Sequence, residues 1–252
     1  MNDLGIRPFN ARSLVLSVLL GLPSPQLTTP SLMRLAALFD VAPGTMRTAL
    51  SRLVATGDLV VEEGRYELRG RLLERKESQD IGRRPAADWD GSWWIVAVTL
   101  ANRQVAARRE FRTRMVNARM GELRPDTWLR PANLPGPHVD RDVVVVRGPC
   151  SGDRPEDLVG RLWDLRAIAE RCFVLLGELD EVTGGITDGD VRTVPAAMMR
   201  AAAVVRFLRD DPLLPPSLTP SPWPVDELRD RYRTFDRRFG RLLATALSPS
   251  RR

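Results

Sequence analysis

The sequence is short of the residues from which most catalytic and metal sites are made. Among 252 residues it has one histidine, His138, and two cysteines, Cys150 and Cys172. Metal sites and acid–base catalysis at neutral pH draw heavily on histidine, and two cysteines without CxxC spacing indicate neither a zinc site nor a disulfide framework. The signatures of zinc proteases, α/β-hydrolases, phosphate loops and dinucleotide-binding folds are also missing. The sequence therefore predicts no catalytic residue, no metal and no cofactor.

Long apolar runs are absent as well. The longest, around residues 93–100 and 143–146, are far too short to span a bilayer. The first residues lack the apolar stretch of a secretory signal. We therefore expect a soluble cytoplasmic protein that makes no use of a membrane.

Lysine is nearly missing, so arginine carries the net charge of +6; Lys76 is the only lysine. Arginine binds phosphate and carboxylate groups through two parallel N–H groups. The charge is uneven: residues 76–147 carry 13 basic and 9 acidic side chains, and residues 1–75 carry 9 and 7. A basic segment suits nucleic acid, a phosphate-bearing ligand or simply an exposed helix face.

The clearest pattern lies between Thr28 and Leu68. It predicts two short helices joined by a tight turn and followed by a glycine-tipped hairpin at residues 62–65. Thr29 is a good N-cap for the first helix, and Pro43 opens the second. An apolar helix over residues 11–22 precedes this stretch. The order predicts a winged helix-turn-helix, and the alternative is a plain helical hairpin inside a larger α-fold.

The second helix of this pattern is amphipathic. Its apolar positions repeat at helical spacing: Met46, Ala49, Leu50 and Leu53. If these are buried, the opposite face is short, polar and cationic, and it consists of Gly44, Thr45, Arg47, Thr48, Ser51 and Arg52. Such side chains suit the major groove of DNA, where arginine reads guanine and serine or threonine bonds bases or phosphates. In the hairpin, Glu62 and Glu63 would repel phosphate, so only Arg65 is expected to assist.

The rest of the chain predicts two further domains. The charged stretch 69–84 is interpreted as a linker. The segments that follow read as strand 93–100, arginine-rich helix 101–120, strands 127–132 and 143–147, and helix 158–179. This order resembles a ferredoxin-like layer. Two helices, 195–208 and 225–247, flank a proline-rich segment at 211–224 that is expected to pack along the body.

We place the domains at 1–84 (winged helix with linker), 85–180 (ferredoxin-like) and 181–252 (helical), which makes an α+β protein. An apolar seam along residues 158–179 repeats at heptad spacing. It is consistent with pairing between two copies and equally with packing on the chain's own sheet. A homodimer is expected because one reading helix covers only a few base pairs.

Four stretches resemble the PaaX family, repressors of phenylacetic acid catabolism. They are SLMRLAALFDVAPGTMRTALSRLVATGDLV, DWDGSWWIVAVTL, DTWLRPANL and RFLRDDPLLPPSLTPSPWP. The resemblance extends over nearly the full length. It implies a winged helix, a middle domain similar to the small CRISPR adaptation nuclease and a helical C-terminal domain. It also implies a homodimeric repressor that binds double-stranded operator DNA and is released by an aryl-CoA thioester such as phenylacetyl-CoA.

A CoA thioester would need arginines for its phosphates and apolar walls for its acyl group. The candidates, expected between the middle and C-terminal domains, are Trp93, Arg108, Arg112, Trp128, Arg206 and Phe207. The alternative is that the aromatic residues belong to the core and the arginines are solvated or paired with acids.

The nuclease resemblance raises a rival function, a metal-dependent nuclease. That family has a metal-binding aspartate at the end of its first strand, and residues 98–102 contain none. Because hard cations require carboxylate oxygens, we expect no metal site there. A second rival is a dimerisation scaffold that does not bind DNA.

Overall fold

The computed structural model describes residues 7–84, 86–99, 103–138, 143–186 and 189–248. Two compact units are present. One is made of residues 1–81, 174–206 and 228–252, and the other of residues 82–173 and 207–227. The mixture of helices with small antiparallel sheets confirms the α+β class. The three-part division at residues 84 and 180 stays a prediction.

The first unit contains the helix-turn-helix. Its first elements are α1 (Ala11–Gly21), β1 (Gln26–Thr28), α2 (Thr29–Leu38), α3 (Pro43–Ala55), β2 (Leu59–Glu62), β3 (Arg65–Leu68) and α4 (Arg71–Gly82). The three strands form an antiparallel sheet in the order β1-β3-β2. α1 is apolar on nearly every side and packs against α3. Leu14, Leu32, Leu35, Met46 and Leu50 are completely or almost completely buried.

Local details of this unit differ from the sequence-based expectations. The N-cap of α2 is Thr28, whose hydroxyl accepts the Ser31 N–H at 3.4 Å, and not Thr29. Thr29 instead donates its N–H to the carbonyl of Gly64 at the wing tip, at 3.1 Å. The tip is a two-residue turn, because Glu62 pairs with Arg65 across it. Glu63 and Gly64 have φ values of 49° and 74°, as the turns favoured in such hairpins require. β1 was not predicted, since three residues are too few to show a period.

The stretch interpreted as a linker is mostly helical. α4 buries Leu72 and Gln79, so the linker prediction is wrong for residues 71–82. The high charge of this helix hid it, because only one narrow stripe of its surface contacts the core.

The second unit is built on a four-stranded antiparallel sheet. Its strands are β4 (Ser92–Val98), β5 (Gly121–Arg124), β6 (Thr127–Pro131) and β7 (Val143–Pro149), in the order β5-β6-β4-β7. α5 (Val105–Asn117) lies between β4 and β5 in the sequence. Because β4 and β5 both pair antiparallel with β6, they run in the same direction with β6 between them. This is the split βαβ arrangement of a ferredoxin-like layer. The short strand β5 was not predicted, and α6 (Pro155–Leu162) follows the fourth strand.

Each face of this sheet has its own core. On one face, Trp93 and Leu129 pack with Leu158 of α6 and with Leu214 and Leu218 of the proline-rich segment. The proline-rich segment therefore packs on the body, as expected. The other face holds a cluster of Val96, Phe111, Met115, Met120 and Trp128.

Three long helices complete the chain: α7 (Leu165–Gly185), α8 (Val194–Asp210) and α9 (Pro224–Leu247). The single helix predicted over residues 158–179 is wrong. The chain becomes extended at Trp163, and the carboxylate of Asp164 then accepts the Ala167 N–H at 2.9 Å to start α7. Cys172 and Leu179 of the predicted seam are fully buried. Leu158, at the start of the seam, packs on the chain's own sheet, as the second alternative states. The seam residues Leu162, Leu165 and Ala169 are half-buried.

Candidate nucleic-acid interface

The predicted reading face lies at the surface of the first unit. Pro43 begins α3, and no side chain caps its first turn. Met46, Leu50 and Leu53 are buried at 0–1% exposure, and Ala49 is half-buried. The opposite side of the helix is exposed throughout, and it consists of Gly44, Thr45, Arg47, Thr48, Ser51 and Arg52. The apolar period of α3 thus decides which polar side chains face solvent.

The two arginines of this face are available to a ligand. Arg47 and Arg52 form no ion pair with any residue that the structure describes. Neighbouring cations of the same unit are already engaged: Arg12 and Arg71 with Asp58, and Arg69 with Glu62. The Thr48 hydroxyl donates to the Gly44 carbonyl at 3.0 Å, which holds that side chain along the helix. Two unpaired guanidinium groups and several small polar groups therefore share one accessible surface.

A groove runs beside this face. It has a volume of about 580 Å³ and is open to solvent, with the first turn of α1 on one side and α3 on the other. Asn10 and Ser13 close the first turn of α1 with reciprocal hydrogen bonds of 2.9 Å. Arg12 and Arg52 both line the groove. Sequence reasoning did not place α1 at the interface, because only the tertiary packing brings its first turn beside α3.

Asp58 fixes the end of the reading helix. Its side chain is only 4% exposed, and it accepts hydrogen bonds from Arg12 at 2.9 Å, Thr56 at 3.1 Å and Arg71 at 3.4 Å. Burial by itself would raise the pKa of this carboxyl, but the hydrogen bonds from Thr56 and Arg12 and the charge of Arg71 outweigh it. The pKa of Asp58 therefore lies below its ordinary value. Asp58 joins α1, the end of α3 and the start of α4 through one carboxylate.

The wing is short and mixed in charge. Glu62 and Glu63 are exposed, and Glu62 lies 3.8 Å from Arg69. Arg65 is exposed too, and it makes no ion pair within the described ranges. The geometry thus leaves Arg65 as the wing's available cation, as the sequence pattern suggested.

The predicted ligand residues of the sheet do not form one pocket. Trp93 and Trp128 are 1% and 3% exposed and lie in the two separate clusters on opposite faces of the sheet. They therefore cannot wall the same ligand, and the expectation that they do is wrong. Arg112 pairs with Glu122, and its guanidinium lies 5.3 Å from the centre of the Trp128 ring.

The other candidate ligand residues differ in exposure: the two arginines lie at the surface and the phenylalanine lies in the core. Arg108 is exposed and donates from Nε to the Arg103 carbonyl at 3.1 Å. Arg206 is exposed, and Phe207 is buried. The aromatic members are core residues, which is the alternative stated for them.

The described part of the chain contains no group of three or more His, Cys, Asp or Glu side chains placed to hold an ion. The first strand of the sheet ends at Val98, and residues 100–102, part of the stretch considered for a nuclease site, lie outside the described residues. Among the helices described, none is long and apolar enough to cross a membrane.

Two stretches of the chain match models of known protein families. Residues 10–72, which span the helix-turn-helix and wing, match the family model "PaaX-like protein", and residues 86–140 match "PaaX protein central Cas2-like domain". The solved structure of "Uncharacterized protein Rv0674 from Mycobacterium tuberculosis" is 36% identical, with a TM-score of 0.72 over 94% of this chain and 98% of that one. A comparison with curated proteins found no match. The chain therefore belongs to the PaaX family.

Proposed function

We propose that the protein is a transcriptional repressor that reads operator DNA with the exposed face of α3. Membership of the PaaX family indicates a transcriptional regulator. The observation that carries the proposal is the pair of exposed arginines, Arg47 and Arg52, without ion pairs to the described residues, on the second helix of a winged helix-turn-helix. Free cations on such a helix fit the major groove.

The chemistry of the face assigns a role to each group. Arg47 and Arg52 are suited to bidentate hydrogen bonds with guanine edges. Thr45, Thr48 and Ser51 are short, so they let the helix approach closely and bond bases or phosphates. The uncapped amides at the start of α3, near Gly44, and the guanidinium of Arg65 in the wing are suited to backbone phosphates.

We also propose that the active form is a homodimer. One α3 contacts only a few base pairs, and paired half-sites about one helical turn apart supply the affinity that a single reader lacks. Cys172, Leu176 and Leu179 of the seam along residues 158–179 are buried in the chain itself, which favours another surface for the dimer interface. A molar mass of about 28 kDa at micromolar concentration, measured by light scattering, would contradict the dimer.

The proposed signal for release is an aryl-CoA thioester, and family membership supports it. The exposed Arg108 and Arg206 remain candidate partners for its phosphates, whereas Trp93 and Trp128 do not form its acyl pocket. Calorimetric titration with a panel of aryl- and alkyl-CoA thioesters tests this step. We expect an aryl-CoA to bind below about 1 mM, equivalent to about 4 kcal/mol, and to weaken DNA binding. If no thioester binds in that range, the effector belongs to another chemical class.

The DNA-reading role is tested with the double variant Arg47→Ala, Arg52→Ala. Fluorescence anisotropy with DNA from the region upstream of the protein's own operon measures the affinity. Each base-reading arginine is expected to contribute about 1–3 kcal/mol, so the double variant should lose specific binding by at least tenfold. The matched control is Arg124→Ala, an exposed arginine of the other unit whose Nε donates to the Thr127 hydroxyl at 3.2 Å. Equal affinity of the double variant and the wild-type protein would refute the proposal.

A further inference from the structure

The end of the last helix is bonded to the helix-turn-helix. Leu247 is the final residue of α9, and its carbonyl accepts three hydrogen bonds from α2. Two come from the guanidinium of Arg34, including Nε at 2.9 Å, and one comes from the Ser31 hydroxyl at 3.1 Å. The chain from residue 228 onward lies in the same compact unit as the helix-turn-helix. One carbonyl at the end of α9 is thus bonded by two side chains of α2.

The chemistry of this contact favours a fixed arrangement. The last carbonyls of a helix have no partner within the helix and carry the negative end of its dipole. A guanidinium placed there gains from the dipole, and its hydrogen bonds are charge-assisted. Arg34 is only partly exposed, so solvent competes less for these bonds.

On the α2 side, the contact reaches the first turn of the helix-turn-helix. The Ser31 oxygen also accepts hydrogen bonds from the Thr28 hydroxyl at 3.0 Å and from Arg34 at 3.3 Å. Thr28 is the N-cap of α2, and Thr29 bonds the wing tip through the Gly64 carbonyl. α2 in turn packs against α3. A displacement of this turn would therefore shift both the wing, through the Thr29–Gly64 bond, and α3, through its packing on α2.

On the other side, α9 is a stiff partner. Tyr232, Phe235 and Phe239 are buried along it, with ring centres 5.8 Å apart for the first pair and 5.5 Å for the second. Leu242, Leu243 and Leu247 continue the buried stripe to the last turn. A helix whose apolar stripe is buried along its whole length transmits a shift to its end, because close-packed interiors have low compressibility and transmit strain.

From this geometry we propose that Arg34 is a positioning residue for DNA binding: it ties α2, and through it α3, to the end of α9. The inference rests on the proposed function, since it concerns how the reading face is held. Arg34 acts through α2 and α9, and it does not touch DNA. The last turn of α9 is on this account a working part of the DNA-binding unit, although 213 residues separate the bonded groups.

The test compares Arg34→Ala and Arg34→Lys with the control Arg192→Ala, an exposed arginine of the same unit paired with Asp190. Hydrogen exchange of the intact protein is followed in residues 29–38, 43–55 and 243–247. DNA affinity is measured as a function of salt. For Arg34→Ala we expect faster exchange in all three segments and a dissociation constant about three- to tenfold larger. The slope of log affinity against log salt should equal that of the wild-type protein. Lysine, which can still donate to the carbonyl, should restore part of the loss, and the control should change nothing.

Two outcomes would overturn the proposal. A salt slope reduced by about one would make Arg34 a phosphate contact. Faster exchange confined to residues 243–247, with unchanged DNA affinity, would make it a helix cap without influence on reading.

Two further measurements keep the test decisive. If Arg34→Ala does not fold, Ser31→Ala in the full chain removes the other donor to the same carbonyl and must give faster exchange in the same three segments with a smaller loss of affinity, or the proposal is wrong. The exchange measurement needs no DNA, so it remains valid if the Arg47→Ala, Arg52→Ala variant shows that α3 does not read DNA. The failure of the two proposals can therefore be told apart.

Discussion

The arginines of α3 differ in what they contact from Arg103 and Arg112, which lie just before and within α5. By count, residues 76–147 are the most basic part of the chain. Yet Arg103 lies 2.5 Å from Asp126 and 4.6 Å from the centre of the Phe111 ring, and Arg112 pairs with Glu122. Arg47 and Arg52, in the less basic segment, have no ion pair in the described residues. Counting charges along the sequence therefore does not show which arginines are available, because a charge that is already paired offers little to an incoming phosphate.

Two buried arginines strengthen this contrast. Arg130 is 2% exposed and donates to the Ala118 carbonyl at 3.0 Å and to the Asn133 side chain at 3.1 Å. Burial, together with the nearby charge of Arg119, lowers the pKa of Arg130 to about 10. The amide of Asn133 then bonds the Leu213 carbonyl at 2.8 Å. Arg119 is 6% exposed and donates to the carbonyls of Leu208 and Asp211. Both arginines therefore connect the sheet region to the start of the proline-rich segment and serve the fold of the second unit.

The largest expected effect follows from removing such a buried arginine. Arg130→Ala leaves the Ala118 carbonyl and the Asn133 side chain without their donor and opens a cavity, so the second unit should lose about 2–4 kcal/mol of stability. Urea unfolding measures the free energy. Arg130→Met fills the space and removes the cost of burying a charge, so it should lose less. Wild-type stability in the alanine variant would show that Arg130 is not structural.

The next effect concerns acid and the first unit. Because the pKa of Asp58 is lower in the folded protein than in the unfolded chain, its stabilisation is complete above about pH 4. It is lost as the pH falls through the folded value. Asp58→Asn should cost about 1–3 kcal/mol at neutral pH and remove part of this acid dependence, measured by urea unfolding at pH 7 and at pH 3. The exposed Asp153→Asn serves as the control. An unchanged acid dependence in Asp58→Asn would contradict the stabilising role of the ionised Asp58 carboxylate.

A smaller effect is expected from the acidic wing. Glu63 is exposed at the wing tip, where its charge repels phosphate if the wing approaches DNA. Glu63→Gln should therefore tighten DNA binding by about two- to fivefold at low salt, and the gain should shrink as salt rises. Anisotropy titrations at two salt concentrations measure it. No change at either concentration would mean that the wing tip stays away from the phosphates.

The smallest effect is predicted for the arginine-rich helix α5. Arg112→Ala removes a surface ion pair with Glu122 and a contact with the Trp128 ring, so stability should fall by at most about 1 kcal/mol. DNA affinity should stay within about twofold of the wild-type value, since this arginine is already paired. A tenfold loss of affinity, with the fold intact by circular dichroism, would break the contrast between α3 and α5.

The amphipathic helices were the part of the fold most open to prediction. The period of Met46, Leu50 and Leu53 predicted both the extent of α3 and its exposed face. Short strands were not predictable in the same way. β1 and β5 have three and four residues, which are too few to show a strand period, and β1 pairs with β3 from a distant part of the sequence. The helix break at Trp163 was hidden because the apolar spacing runs on through it.

What the sequence by itself determined is the set of local patterns: the helix-turn-helix with its wing, the apolar period of α3 and the arrangement that matches the PaaX family. These depend on neighbours within a few residues, so the pattern of side chains suffices. Only the tertiary structure decided which arginines are free, because several of the acid or carbonyl partners lie far away in the sequence. Arg12 meets Asp58 across 46 residues, and Arg34 meets Leu247 across 213. Burial and pairing are properties of the packed chain, and they separate a binding arginine from a structural one.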